Sequence, residues 1–103
     1  MIKLEIFIPA DYLEKLREAL RSVGAGAFGH YDSTLSYSAV KGCWRPLLGA
    51  NPYDGELGVL CERDEYKVEV NCNDDILEKT LEAIKTIHPY EEPVINIIKL
   101  KEI

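Results

Sequence analysis

His88-Pro89-Tyr90-Glu91-Glu92-Pro93 gathers an imidazole, a phenol and two carboxylates into six residues bounded by proline. Proline fixes φ and lacks an amide N–H, and the residue before it is pushed out of the α region. The polar groups of this corner are therefore presented in few geometries. Neutral imidazole with carboxylates suits a divalent transition metal. His88, Glu91 and Glu92 are thus candidate metal ligands, and His30 beside Asp32 is a second source of the same groups. With two histidines in all, a His-rich tetrahedral centre inside one subunit needs cysteine or carboxylate help. The competing reading is architectural: His88 closes a helix, where a cation favours the C-terminal dipole. Glu91 and Glu92 are adjacent in extended chain and point opposite ways, which hinders joint binding of one ion.

A second set of groups lies in residues 42–58, Gly-Cys-Trp-Arg-Pro-Leu-Leu-Gly-Ala-Asn-Pro-Tyr-Asp-Gly-Glu-Leu-Gly. Trp44, Arg45 and Tyr53 offer stacking and anion pairing, the parts a nucleotide or phosphate site uses. The glycines lack the spacing of a P-loop or a dinucleotide motif. The competing reading is a loop folded over the sheet or into a neighbouring subunit, with Trp44 as anchor. Of three cysteines, Cys72 falls on the apolar phase of a strand and reads as core. Cys43, beside Trp44 and Arg45, is the best placed for a reactive thiol. No Cys-His-Asn or Ser-His-Asp order is visible, so nucleophilic catalysis has no support.

These groups must be held by regular elements. Ile2, Leu4, Ile6 and Ile8 alternate with Lys3, Glu5 and Phe7, a strand with one buried face over 2–8. Leu13, Leu16, Leu20 and Val23 mark a helix over 11–23, opened by an Asp11/Glu14 capping box and stopped by Gly24. Leu35, Tyr37 and Ala39 suggest a less buried strand over 33–40. Four glycines and two prolines speak against any regular element through 42–58. Tyr66, Val68, Val70 and Cys72 mark a strand within 59–72. Asp75 and Glu78 form a second capping box, ahead of a helical stripe Leu77, Leu81, Ile84 and Ile87 over 74–87. A last strand over 94–101 is apolar on both faces, as expected if it is well covered.

The order β-α-β, long loop, β-α-β predicts an α+β, ferredoxin-like split βαβ sandwich, with an antiparallel sheet and two helices on one face. A chain of 103 residues reads as one domain over 1–103, with one core burying roughly 60–65% of the unfolded surface. A net charge of −6 argues against non-specific binding of nucleic acid. The apolar runs are too short to span a membrane, and the alternating start is unlike a secretory leader. An odd cysteine count without C-x-x-C predicts reduced thiols in the cytoplasm.

Two stretches, Gly24-Ala25-Gly26-Ala27-Phe28-Gly29-His30-Tyr31-Asp32 and Arg45-Pro46-Leu47-Leu48-Gly49-Ala50-Asn51-Pro52-Tyr53-Asp54-Gly55, resemble the central insert of YqfO-type proteins, the NGG-interacting factor three-like family. The 88–93 corner completes the pattern, and resembles the His-Pro-Tyr-Glu corner of the CutA divalent-cation-tolerance proteins. The resemblance covers nearly the whole chain and implies a stand-alone PII-like, CutA-like domain. Ala27-Phe28 stands where an Arg-Ile pair is usual, and Cys43-Trp44 where Thr-Phe is usual, so no role of that Arg carries over. The resemblance also implies a homo-oligomer, with a trimer favoured. The family's dinuclear metal ligands lie in a flanking domain outside this stretch, so it implies little chemistry.

Together these features point to a small oligomeric binding or regulatory module, sensing a divalent metal ion or a small anionic ligand. The alternative is an interaction protein that completes or regulates a larger metal-dependent partner enzyme. A stand-alone enzyme is less favoured than either.

Overall fold

Alternation along the first strand decides where the core lies. In β1 (Ile2–Pro9) the side chains of Ile2, Leu4, Ile6 and Ile8 are buried, and those between them are half-buried. The structure, a computed structural model, describes residues 1–102. Helix α1 (Leu13–Val23) lays Leu13, Leu16 and Leu20 on that face, and α2 (Leu77–Ile87) adds Ile84. Burying one such Leu or Ile contributes about 1.5–3 kcal/mol relative to exposure. β2 (Ser36–Trp44), β3 (Cys61–Cys72) and β4 (Ile95–Lys99) complete an antiparallel sheet of order β2-β3-β1-β4. Both helices cover its Ile2/Leu4/Ile6/Ile8 face, so the predicted ferredoxin-like α+β sandwich is the fold.

Several local expectations are corrected. Neither helix begins with a capping box. The chain enters each through a short 3₁₀ turn, Ala10–Tyr12 and Asp74–Ile76, which follow Pro9 and Asn73 without a side-chain cap. Asp11 and Asp74/Asp75 then lie in the first turn, where an acidic group still suits the helix dipole. Gly24 does close α1, at φ 87°, with its N–H directed to the carbonyls of Leu20 and Arg21.

The second strand runs later than expected, through Gly42 and Cys43 to Trp44. Residues 59–60 are not strand, and β3 starts at Cys61. Glycine at 42 did not break the strand because it makes room for a neighbour: a Cβ there would stand 2.5 Å from Cδ of Glu65. The last strand is not well covered either. β4 is a sheet edge, with Ile97 and Ile98 49% and 40% exposed.

β1 pairs with β3 only as far as Pro9↔Glu65, whereas β2 and β3 stay paired out to Trp44↔Cys61. The β2–β3 ribbon therefore projects past the body of the sheet and carries the 45–60 loop. This overhang gives the molecule its 46 × 24 × 22 Å extents. Among the described residues no helix is long and apolar enough to cross a membrane.

Candidate functional site

The overhanging ribbon and the proline-bounded corner face each other across one cleft of about 870 Å³. Trp44, Arg45 and Tyr53 line it from the ribbon and loop, Glu65 from β3, and Tyr90 and Glu92 from the corner. The sequence-predicted stacking residues are thus brought to one place, opposite the predicted metal-ligating segment.

Short-range bonds give the loop its shape. The Gly58 N–H donates to Pro46 O at 2.7 Å, and the Ala50 N–H to Leu47 O at 2.9 Å. Trp44 Nε1 donates to Asp54 O at 3.2 Å, tying the indole to the far arm of the loop. Gly55 sits at φ 104°, and a Cβ there would meet Cys61 Sγ at 3.1 Å and Trp44 Nε1 at 3.3 Å. The Arg63 guanidinium holds both Asp54 carboxylate oxygens, at 2.6 and 3.2 Å, and keeps that carboxyl below its usual range. From the other side, Glu91 Oε1 accepts the Asn51 N–H at 3.1 Å, joining loop to corner.

Aromatic rings connect the same parts. Tyr90 lies 5.4 Å from Trp44, 6.0 Å from Tyr53 and 5.0 Å from His88, centroid to centroid. Tyr53 in turn meets Tyr12 edge-on at 6.2 Å. Such tilted and edge-on pairs are the preferred aromatic geometries.

At the floor of the cleft lies a buried carboxylate. Glu65 is only 5% exposed, and its Oε2 accepts the Tyr90 hydroxyl at 2.6 Å. Burial, and then the Glu65 carboxylate, push the Tyr90 phenol far above its ordinary pKa, so it remains a donor. Among the described residues no Lys, Arg or amino terminus pairs with Glu65.

The predicted metal-ligating residues have these positions. His88 is buried; its Nε2 meets Phe7 O at 2.7 Å, and its Nδ1 accepts the Tyr90 N–H at 3.2 Å. A carbonyl partner requires the proton on Nε2, so both ring nitrogens are engaged. Burial lowers the His88 pKa against the opposing pull of the Phe7 carbonyl and the Glu65 charge. The imidazole is therefore neutral at pH 7, and the expected interaction of a histidine cation with the helix dipole is not what holds it. Glu91 bonds the loop, Glu92 is exposed on the rim, and His30 is exposed in the 28–31 turn. Among the described residues no three His, Cys, Asp or Glu side chains come together as a metal-ligating group. Cys43 is exposed at the cleft, while Cys61 and Cys72 are buried.

Glu65 and Gly42 went unnoticed in the sequence. Glu65 occupies the polar phase of its strand with Lys67 and Glu69, a pattern that by itself signals a solvated face. Nothing local reveals that the ribbon and Tyr90 would cover it.

No family model matches the chain. A Staphylococcus epidermidis protein named GTP cyclohydrolase 1 type 2 homolog is 37% identical over 97% of this chain. Its Bacillus subtilis namesake is 33% identical over the same share. The chain spans 27% of the length of each of these relatives. Among solved structures, a Bacillus cereus protein related to NIF3 superposes with TM-score 0.85 at 29% identity, over 98% of this chain and 26% of that one. CutA1 from Pyrococcus horikoshii superposes with TM-score 0.73 at 19% identity, over 100% of this chain and 86% of that one. The resemblance of the sequence blocks to YqfO-type proteins and to the CutA fold is thereby borne out.

Proposed function

We propose that this chain, similar along nearly all its length to a quarter of the NIF3-related proteins, is a small oligomeric ligand-binding module. Its ligand site is the cleft between the 45–60 loop and the 88–93 corner. The observation that carries this reading is the convergence of Trp44, Tyr53 and Tyr90 with Arg45 and Glu65 around one opening. Apolar walls with a few fixed polar groups are the usual make-up of small-molecule sites. The bonds from Trp44 to Asp54 and from Asn51 to Glu91 organise the walls in advance, which lowers the ordering cost of binding. In this reading His88 is a structural post: it fixes Tyr90 and leaves no lone pair for a metal. Arg45, without a carboxylate partner among the described residues, is the anchor for any anionic group on the ligand.

We place the module in the cytoplasm as a homo-oligomer, a trimer being favoured, with the whole of 1–103 as one domain. The exposed Ile97 and Ile98 of edge strand β4 support association, since one copy leaves them uncovered. A second reading, an interaction module that completes or regulates a larger metal-dependent enzyme, is favoured by the loop surface. Leu47, Leu48, Leu57 and Leu60 are 66%, 97%, 52% and 61% exposed there, an apolar patch suited to a protein partner.

Trp44 is the only tryptophan, so its emission reports on the cleft. Titration with a panel of small aromatic and charged compounds should give saturable changes in emission for some of them. A panel that leaves the emission unchanged while a partner enzyme binds through the loop would favour the second reading.

A further inference from the structure

We propose that the cleft selects an organic cation, a protonated amine on an aromatic or apolar body, with Glu65 as its counter-ion. This deepens the proposed function and rests on the cleft being the ligand site. Three observations lead to it. First, Glu65 is only 5% exposed, yet among the described residues its carboxylate has a single hydrogen-bonded partner, the neutral Tyr90 hydroxyl on Oε2. A buried carboxylate is costly unless a positive group offsets it. Second, among the described residues no cation pairs with it: Arg45 stands at the exposed rim of the cleft, and the other cations of the ribbon and the neighbouring sheet are engaged with other carboxylates. Arg63 pairs with Asp54, Lys41 with Asp64, and Lys67 and Lys3 with Glu5 and Glu69. His88 is neutral and bonded on both nitrogens.

Third, the walls beside the carboxylate are the faces and edges of Trp44, Tyr53 and Tyr90, and a cation over an aromatic face is attracted by the ring quadrupole. Gly42 sets the carboxylate's position from below: any side chain there would collide with Cδ and Oε1 of Glu65. The chain's net charge of −6 favours the approach of a cation over an anion. Arg45 stands at the exposed rim, which leaves room for a remote anionic group on the same ligand.

Three probes of one shape decide it: benzylamine (protonated at neutral pH), benzyl alcohol and benzoate, each titrated against Trp44 emission. A charge-assisted bond to Glu65 should make benzylamine bind about tenfold or more tightly than benzyl alcohol, with benzoate weakest. Glu65→Gln keeps the shape and an acceptor for Tyr90, and should bring the benzylamine and benzyl alcohol affinities together. Glu78→Gln, on the exposed face of α2 and away from the cleft, should leave the preference intact. Equal binding of benzylamine and benzyl alcohol, tighter binding of benzoate, or a preference kept in Glu65→Gln overturns the cation assignment while leaving the cleft as a site. If no probe perturbs Trp44, the cleft reading falls with it. Far-UV circular dichroism checks that Glu65→Gln is folded; if it is not, the wild-type ranking of the three probes decides alone.

Discussion

The carboxylate of Glu65 occupies the space that a side chain on Gly42 would need, 2.5 Å from Cδ to the position of the missing Cβ. Gly42 and Glu65 lie on facing strands, and the fit ties the ribbon to the floor of the cleft. The colliding atoms end a flexible side chain, and moving them shifts a buried carboxylate and strains its bond to Tyr90. Gly42→Ala should therefore destabilise the fold by about 1 kcal/mol, as measured by urea denaturation. In a Glu65→Ala background the same change should cost less, because the collision is gone.

Tyr90→Phe removes the one hydrogen-bonded partner that the buried Glu65 carboxylate has among the described residues. The expected loss is about 1–3 kcal/mol. Glu65→Gln, which retains an acceptor for the phenol, should cost less than Tyr90→Phe. Equilibrium unfolding of the two variants ranks them. The opposite order would show that Glu65 is held by contacts other than Tyr90.

Acid should loosen the corner through His88. Burial places the folded pKa below the ordinary 6.5, so between those two values the unfolded chain binds more protons. The His88 contribution is thus complete above pH 6.5 and is lost as pH falls through the folded-state value. Protonated Nδ1 also ceases to accept the Tyr90 N–H. Melting temperatures recorded between pH 7.5 and about 5 should fall more steeply for the wild type than for His88→Gln. Equal slopes would mean that the imidazole does not titrate differently on folding.

Period-two alternation in 2–8 and the helical stripes at Leu13/Leu16/Leu20 and Leu77/Leu81/Ile84/Ile87 carried the fold, because a single buried face leaves a regular trace in sequence. The second strand was harder to place. Its residues are mostly exposed, so its alternation is weak, and Gly42 resembles a breaker when the reason for it lies across the sheet. The capping boxes misled because the Asp/Glu spacing fits a 3₁₀ entry as well as a capped first turn.

The site was legible in its residues more than in their bonding. Trp44, Arg45, Tyr53, His88, Glu91 and Glu92 stand out by type, and proline at 89 and 93 announces a stiff corner. That His88 would spend both nitrogens on Phe7 O and Tyr90 N depends on contacts 81 residues apart and two residues apart, respectively. That Glu65 would be buried depends on Tyr90 folding back over β3, and local sequence carries no trace of either long-range event.

Association through the edge strand should be measurable. Ile97 and Ile98 are exposed on β4 in a single copy. The purified chain should sediment as an oligomer, a trimer being expected, and Ile97→Lys with Ile98→Lys should shift it toward monomer with little loss of fold. A wild-type monomer at tens of micromolar would remove β4 as an association surface.

The most direct measurement is an amide shift map of the ¹⁵N-labelled chain titrated with benzylamine. Saturable shifts should concentrate on 42–58, on Glu65 and on 88–93, and leave the outer face of α2 unmoved. Shifts spread over that helix face instead, or no shifts at a concentration that saturates the Trp44 response, would contradict a ligand site in this cleft.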